Sequence, residues 1–193
     1  MITFHTLCPD RLNLNGDQAN LFVLQKRLEW QGIDSQIASV ESLADLNEIN
    51  PDTGFLMMGH GSQAAMRTLE SMSGEFRDRV FELAAQGLAG LAVGSGYEML
   101  FPDFTRGKRI SDYADVPAAN GLPELFGYVN TDTNLPVTTV IGDSFVCAMV
   151  HGPVLARTPA LADILLQKMG IAVLETSESA EADGYAEKAR SHN

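Results

Sequence analysis

The chain has 193 residues, 45% of them hydrophobic and 20% charged, which is enough apolar material for one ordinary core. Acidic residues outnumber basic ones 25 to 13, a formal charge of −12, and with no cluster standing out among the cations a phosphate backbone is repelled, so nucleic acid is not an expected partner. No window reaches the roughly 18 unbroken apolar residues of a membrane span, residues 1–8 lack the basic and apolar regions of a signal peptide, and the expectation is a cytoplasmic chain.

The elements then alternate between the two periods. Residues 2–7 read as a strand, and 9–17 as a polar loop whose last residue, Asp17, is a good N-cap for the helix after it. Across 18–31, Leu21, Leu24 and Leu28 keep helical spacing, with Gly32 as a C-terminal stop. A second strand covers 33–40, a helical turn 44–50, and a short buried strand 55–58. That strand runs into Gly59-His60-Gly61-Ser62, where backbone N–H groups can face a ligand and a helix starting near Gln63 adds its positive end. The pattern fits an anion or oxyanion site, and equally a plain tight turn. Helices over 63–71 and 75–86, or one helix broken at Ser73-Gly74, precede the stretch 88–96, in which an apolar strand meets the corner Gly94-Ser95-Gly96 and continues into helix formers. A strand, sharp turn and helix in this order form a nucleophile elbow in many α/β enzymes, but the apex here is glycine.

Beyond Leu100 the character changes. Residues 101–120 read as a long irregular segment, and 125–130 and 137–141 flank a turn at 131–136 as a hairpin. A strand over 144–150 delivers His151-Gly152-Pro153, and Thr158-Pro159 opens a helix over 159–169 with proline at its first position. The βαβαβ order with short links predicts a mainly parallel sheet with helices on both faces and an added β-hairpin. Ligands in such sheets bind outside the carboxyl ends of the strands, which puts 59–62, 94–96 and the loop after Leu7 on one rim. Residues 1–175 form the expected single domain, and 176–193 a polar tail, helical or frayed. Cys8 and Cys147 are too few for a disulfide framework and share no metal-ligand spacing with the four histidines, so two reduced, buried thiols and no metal or cofactor are expected. Met57, Met58, Trp30 and the helix leucines read as core.

Residues 12–20, LNLNGDQAN, together with 27–33, RLEWQGI, resemble the opening signature of the GatD-like glutamine amidotransferases, class I domains related to the amidotransferase part of cobyric acid synthase. The run 151–166, HGPVLARTPALADILL, resembles the family more specifically, since it pairs a strand-end histidine with a proline-started helix. The resemblance covers most of residues 2–166 and implies a three-layer, flavodoxin-like fold. It also implies a chemistry in which a cysteine thiolate attacks the amide of glutamine, a histidine activates the thiol, and backbone N–H groups hold the oxyanion. For GatD-like proteins the resemblance further implies that the ammonia passes to a Mur-ligase-like synthetase and that the pair amidates the peptidoglycan precursor lipid II.

Carried onto this chain, the resemblance makes His151 the family histidine and Gly94 the position of the cysteine. Ser95 and Gly96 come next with the first oxyanion donor, and Gly59, Gly61 and Ser62 form the loop expected to give the second. His60 and Ser62 depart from the usual residues there, Glu98 stands where glutamine is frequent, and no acidic residue lies two places after His151. Glycine has no nucleophilic atom, and losing the nucleophile of a catalytic triad costs about 10⁶ in rate, so glutamine hydrolysis is not expected. Gly94 marks either a pseudo-amidotransferase kept as a binding or assembly subunit or a designed replacement of cysteine. A hydrolase using Ser95 and His151, and a role for either cysteine, are further alternatives. Without the resemblance, His151 reads as a hydrogen-bonded structural group.

Overall fold

Short, fully buried strands make the centre of the molecule. The computed structural model describes residues 1–191. In it β1 (Ile2–Leu7), β2 (Ser35–Val40), β3 (Gly54–Met58), β4 (Ala89–Val93), β7 (Thr138–Ile141) and β8 (Phe145–Ala148) form a six-stranded sheet in the order β2-β1-β3-β4-β8-β7. Every pair is parallel except β7 with β8. All residues of β3, β4 and β8 are buried, as strands covered on both faces must be, whereas the edge strands β2 and β7 are mostly half-exposed.

Two groups of helices cover the sheet. The first joins α1 (Ala19–Trp30), α6 (Val154–Arg157), α7 (Pro159–Lys168) and α8 (Ser177–Ser191), and the second joins α2 (Leu43–Asn47), α4 (Ser73–Ala85) and α5 (Ser95–Leu100). The expected α/β layering, mainly parallel with helices on both faces, is therefore present. Gly32, at φ +72°, closes α1 as expected, and Pro159 sits in the first turn of α7. Asp17, however, does not cap α1. Gln18 holds that position without a side-chain bond, and the Asp17 carboxylate turns inward instead. Trp30 is only half-buried, beside α8, rather than in the core. The tail expected to reach Asn193 is helical to Ser191, and its last two positions lie outside the described residues. α8 is anchored through the buried Arg27, which donates to Asp163 at 2.7 Å and also pairs with Asp183.

The second half of the chain departs from expectation. Residues 101–120, expected to be irregular, contain the eleven-residue strand β5 (Arg106–Val116), which pairs antiparallel with β6 (Leu125–Thr133). Nearly all of β5 is exposed, so it has no apolar alternation to betray it, and it is held by its ladder to β6. The expected pairing of 125–130 with 137–141 does not form. β7 turns back on β8 instead, through Gly142 at φ +59°, while β6 belongs to a separate three-stranded sheet in the order β5-β6-β9. The strand expected over 144–150 is split. Met149 donates its N–H to the Val137 carbonyl at 2.8 Å, and the chain passes from β8 in the large sheet to β9 (Val150–His151) in the small one. His151 thus stands where the two sheets meet, opposite Tyr128.

Candidate functional site

The carboxyl ends of β3, β4 and the β8–β9 segment converge on one rim. β4 ends at Gly94, whose N–H donates to the Ala148 carbonyl at 3.0 Å, while the Glu98 N–H comes back to the Gly94 carbonyl at 2.9 Å to start α5. Gly94 has φ 55° and ψ −117°, a conformation that costs a non-glycine residue about 1–3 kcal/mol. The expected elbow is therefore formed. A Cβ on Gly94 would lie 2.5 Å from His151 Cε1 and 2.5 Å from His60 Nδ1. The histidine does face the bend, but a second imidazole already fills the space a side chain there would enter.

His60 is held there by its own backbone. Its N–H donates to Asp17 Oδ2 at 2.9 Å, and its carbonyl accepts from the Leu14 N–H at 2.9 Å. The loop carrying Leu12 comes so close that a Cβ on Gly59 would lie 2.0 Å from the Leu12 carbonyl oxygen, which is why only glycine fits at that position. The His60 ring meets the His151 ring edge to face, centroids 4.7 Å apart, and its Nδ1 accepts from the Ser95 N–H at 3.0 Å. Burial, and secondarily the neighbouring His151, push the His60 imidazole down to about 4, so it is neutral at physiological pH with its proton on Nε2. The Gly61 N–H is spent as well, donating to Ser95 Oγ at 2.7 Å, and the Ser95 hydroxyl reaches back to the Gly61 carbonyl at 3.3 Å.

His151 is buried and engaged at both nitrogens. Nε2 lies 2.8 Å from the Asn130 carbonyl, which can only accept, so Nε2 carries the proton and Nδ1 takes the amide of Asn15 at 2.8 Å. Asn20, fully buried, donates to the carbonyls of Asp17 and Gly152 and accepts from the Leu155 N–H at 2.9 Å, so the loop before α1 and the turn after β9 are fastened together. Asp17 is buried too. Desolvation raises its carboxyl above the usual carboxylate range, against the His60 N–H and the nearby His151, which act to lower it. Its Oδ1 has no partner among the described residues.

A cleft of about 530 Å³ opens beside His60, bounded by α3 (Gln63–Leu69), α5 and the start of β5. Glu98 lines it with Arg106 at 3.5 Å, and Arg106 also pairs with Asp132. Burial holds the Glu98 carboxyl above its ordinary range in spite of Arg106. Contrary to the expectation of no cation cluster, Arg106, Lys108 and Arg109 fall within four positions of β5.

No model of a known protein family matches the sequence, and no curated protein does. Among solved structures, the crystal structure of a glutamine amidotransferase from Thermotoga maritima is similar over 97% of this chain and 90% of that one, with a TM-score of 0.50 and 14% identity. The fold is that of a glutamine amidotransferase. A likeness at this level of identity speaks for the architecture alone, and what the chain does rests on its own residues.

Of the positions singled out in the sequence, Gly94, Ser95, Gly59, Gly61 and His151 come together at the elbow. Gly96 supports it from below, where a Cβ would lie 2.5 Å from the Met58 carbonyl oxygen. Ser62 is taken up in structure, since its hydroxyl accepts from the Ala65 N–H at 3.1 Å as the N-cap of α3. Ser95 Oγ is bonded to Gly61 and both His151 nitrogens are occupied, so the two do not form a nucleophile–base pair. Neither thiol is activated. Burial pushes Cys8 up to about 11 and Cys147 further still. Asn15 lies inside the LNLNGDQAN run, yet nothing in its type or spacing points to His151, and Asn130 carries no sequence signal because it acts through its backbone on an unexpected strand pairing.

Proposed function

We propose that this chain is a non-hydrolytic subunit built on the glutamine amidotransferase fold, kept for binding a small amino-acid ligand and for assembly with a synthetase. The observation that carries this is the His60 ring in the space beside Gly94. The nucleophile is absent, the Ser95 N–H is capped by His60 Nδ1 and the Gly61 N–H by Ser95 Oγ, so both expected oxyanion donors are closed from within.

The sequence resemblance supports a Mur-ligase-like partner and lipid II as the molecule amidated, with ammonia drawn from elsewhere. The test is ammonia release from L-glutamine by the chain, alone and with a co-expressed Mur-ligase-like synthetase, and then lipid II amidation with glutamine or ammonium chloride as nitrogen source. The expected result is no release above background and amidation from ammonium only. Release of ammonia from glutamine by this sequence would overturn the proposal.

A further inference from the structure

The cleft lining carries three guanidinium groups, Arg67, Arg106 and Arg109, and three carboxylates, Glu70, Glu98 and Asp132, so net charge alone selects no ligand. Hydrogen-bonding capacity at the wall nearest the histidines does. His60 lines the cleft and gives Nδ1 to the Ser95 N–H, so Nε2 keeps the proton, with no partner among the described residues. Asn130 Oδ1 accepts from Arg109 Nε and Nη2 at 3.0 and 2.8 Å, which leaves the Asn130 amide nitrogen and Arg109 Nη1 as donors without a partner among the described residues. The acceptors beside these groups are already engaged. The Asn130 carbonyl takes His151 Nε2, Ser95 Oγ takes the Gly61 N–H, and Thr131 Oγ1 takes the Thr133 N–H. This wall donates, and the carboxylates that remain in the lining beside it, Glu98 and Asp132, are both drawn to Arg106.

A carboxylate only accepts, and each of its oxygens can take these N–H groups; a carboxamide turns an NH₂ with two donors toward donors that then stay unpaired. Farther out, Arg67 has no carboxylate partner and Glu70 no cationic one among the described residues, which suits the α-carboxylate and α-ammonium of an amino acid. We infer that the cleft binds an amino acid with a carboxylate tip, of the glutamate type, in preference to the corresponding amide. This rests on the proposed non-hydrolytic role and names the ligand of that same site.

The test is isothermal titration of the full chain at neutral pH with L-glutamate, L-glutamine and, as a simple anion, sodium sulfate. The expected result is glutamate at least about tenfold tighter than glutamine, with sulfate weaker than both. Asn130→Asp puts an acceptor where the amide donates, and is expected to erase the preference with native circular dichroism. Arg109→Met, at an exposed position, is expected to weaken glutamate more than glutamine and serves where the first variant does not fold. Glutamine binding as tightly as glutamate, no glutamate binding, sulfate competing as well as glutamate, or a preference unchanged in the folded variants would each overturn the inference. Ammonia release refutes the non-hydrolytic role whatever the titration gives, whereas tighter glutamine binding without release overturns only the preference.

Discussion

Replacing Gly94 with cysteine would restore the atom the elbow lacks, and the structure sets what that costs. A side chain at φ 55°, ψ −117° carries about 1–3 kcal/mol of backbone strain. Its Cβ also meets two imidazole atoms at 2.5 Å, closer than real Cβ contacts come, and forcing a group into filled space costs about 1–3 kcal/mol more. Gly94→Cys is thus expected to lower the folding free energy by about 2–6 kcal/mol in the native background. With His60→Ala in place one of the two clashes is gone and the Ser95 N–H is uncovered, while the His151 Cε1 contact at 2.5 Å remains, so the same substitution should cost less than in the native background. Urea unfolding of the four proteins gives the coupling as a double-mutant cycle, with an expected value of about 1 kcal/mol in favour of the pair, the share of the overpacking that His60 accounts for. Ammonia release from glutamine, measured on the same four, is expected from none of the three that lack either the thiol or an uncovered Ser95 N–H. A Gly94→Cys cost that is equal in the two backgrounds to within about 0.5 kcal/mol would refute the claim that His60 occupies the nucleophile's place.

Two further outcomes can be checked on stability alone. Between pH 6.5 and about 4 the unfolded chain takes up a proton that folded His60 refuses, so stability should rise with pH across that window and be lost as pH falls. Asp17, raised by burial, acts with the opposite sign, so the readout is the difference between the native chain and His60→Gln, whose urea midpoint should fall less steeply with acid; equal slopes would show that His60 is not protected from protonation. Arg27, only 5% exposed, is shared by Asp163 and Asp183, and Arg27→Met should cost about 2–4 kcal/mol and make α8 the first segment cut by limited proteolysis. Unchanged stability with α8 still protected would contradict the proposed anchoring.

The parallel half of the fold is legible in the sequence because its signals are local. The runs at 55–58 and 88–93 are apolar and bounded by glycine, and Gly32 and Pro159 mark helix ends by their backbone limits alone. The elbow is legible for the same reason, as is the rim shared by 59–62 and 94–96, whereas the meeting of His151 with Gly94 is legible only through the family resemblance. What fails depends on partners distant in the chain. β5 is polar on nearly every residue and exists because β6 pairs with it, so no periodicity announces it. The split of the 144–150 strand at Met149 reflects a choice between two sheets that no short window contains. Asp17 carries N-cap chemistry in sequence, yet His60 lies close enough to claim its carboxylate. The sequence marks His60 only as a departure from pattern. Its meaning comes from three neighbours, Gly94, Ser95 and His151, none of which adjoins it in the chain.

The tight fit between the bare apex and the imidazole beside it works as a ratchet. A cysteine arriving by itself at position 94 meets a closed oxyanion hole and an overfilled corner, so selection has no intermediate step to favour. Removing the imidazole first exposes an N–H that nothing then uses. On the proposed reading, hydrolysis at this corner therefore needs at least the thiol and the removal of the imidazole together, because the first alone meets filled space.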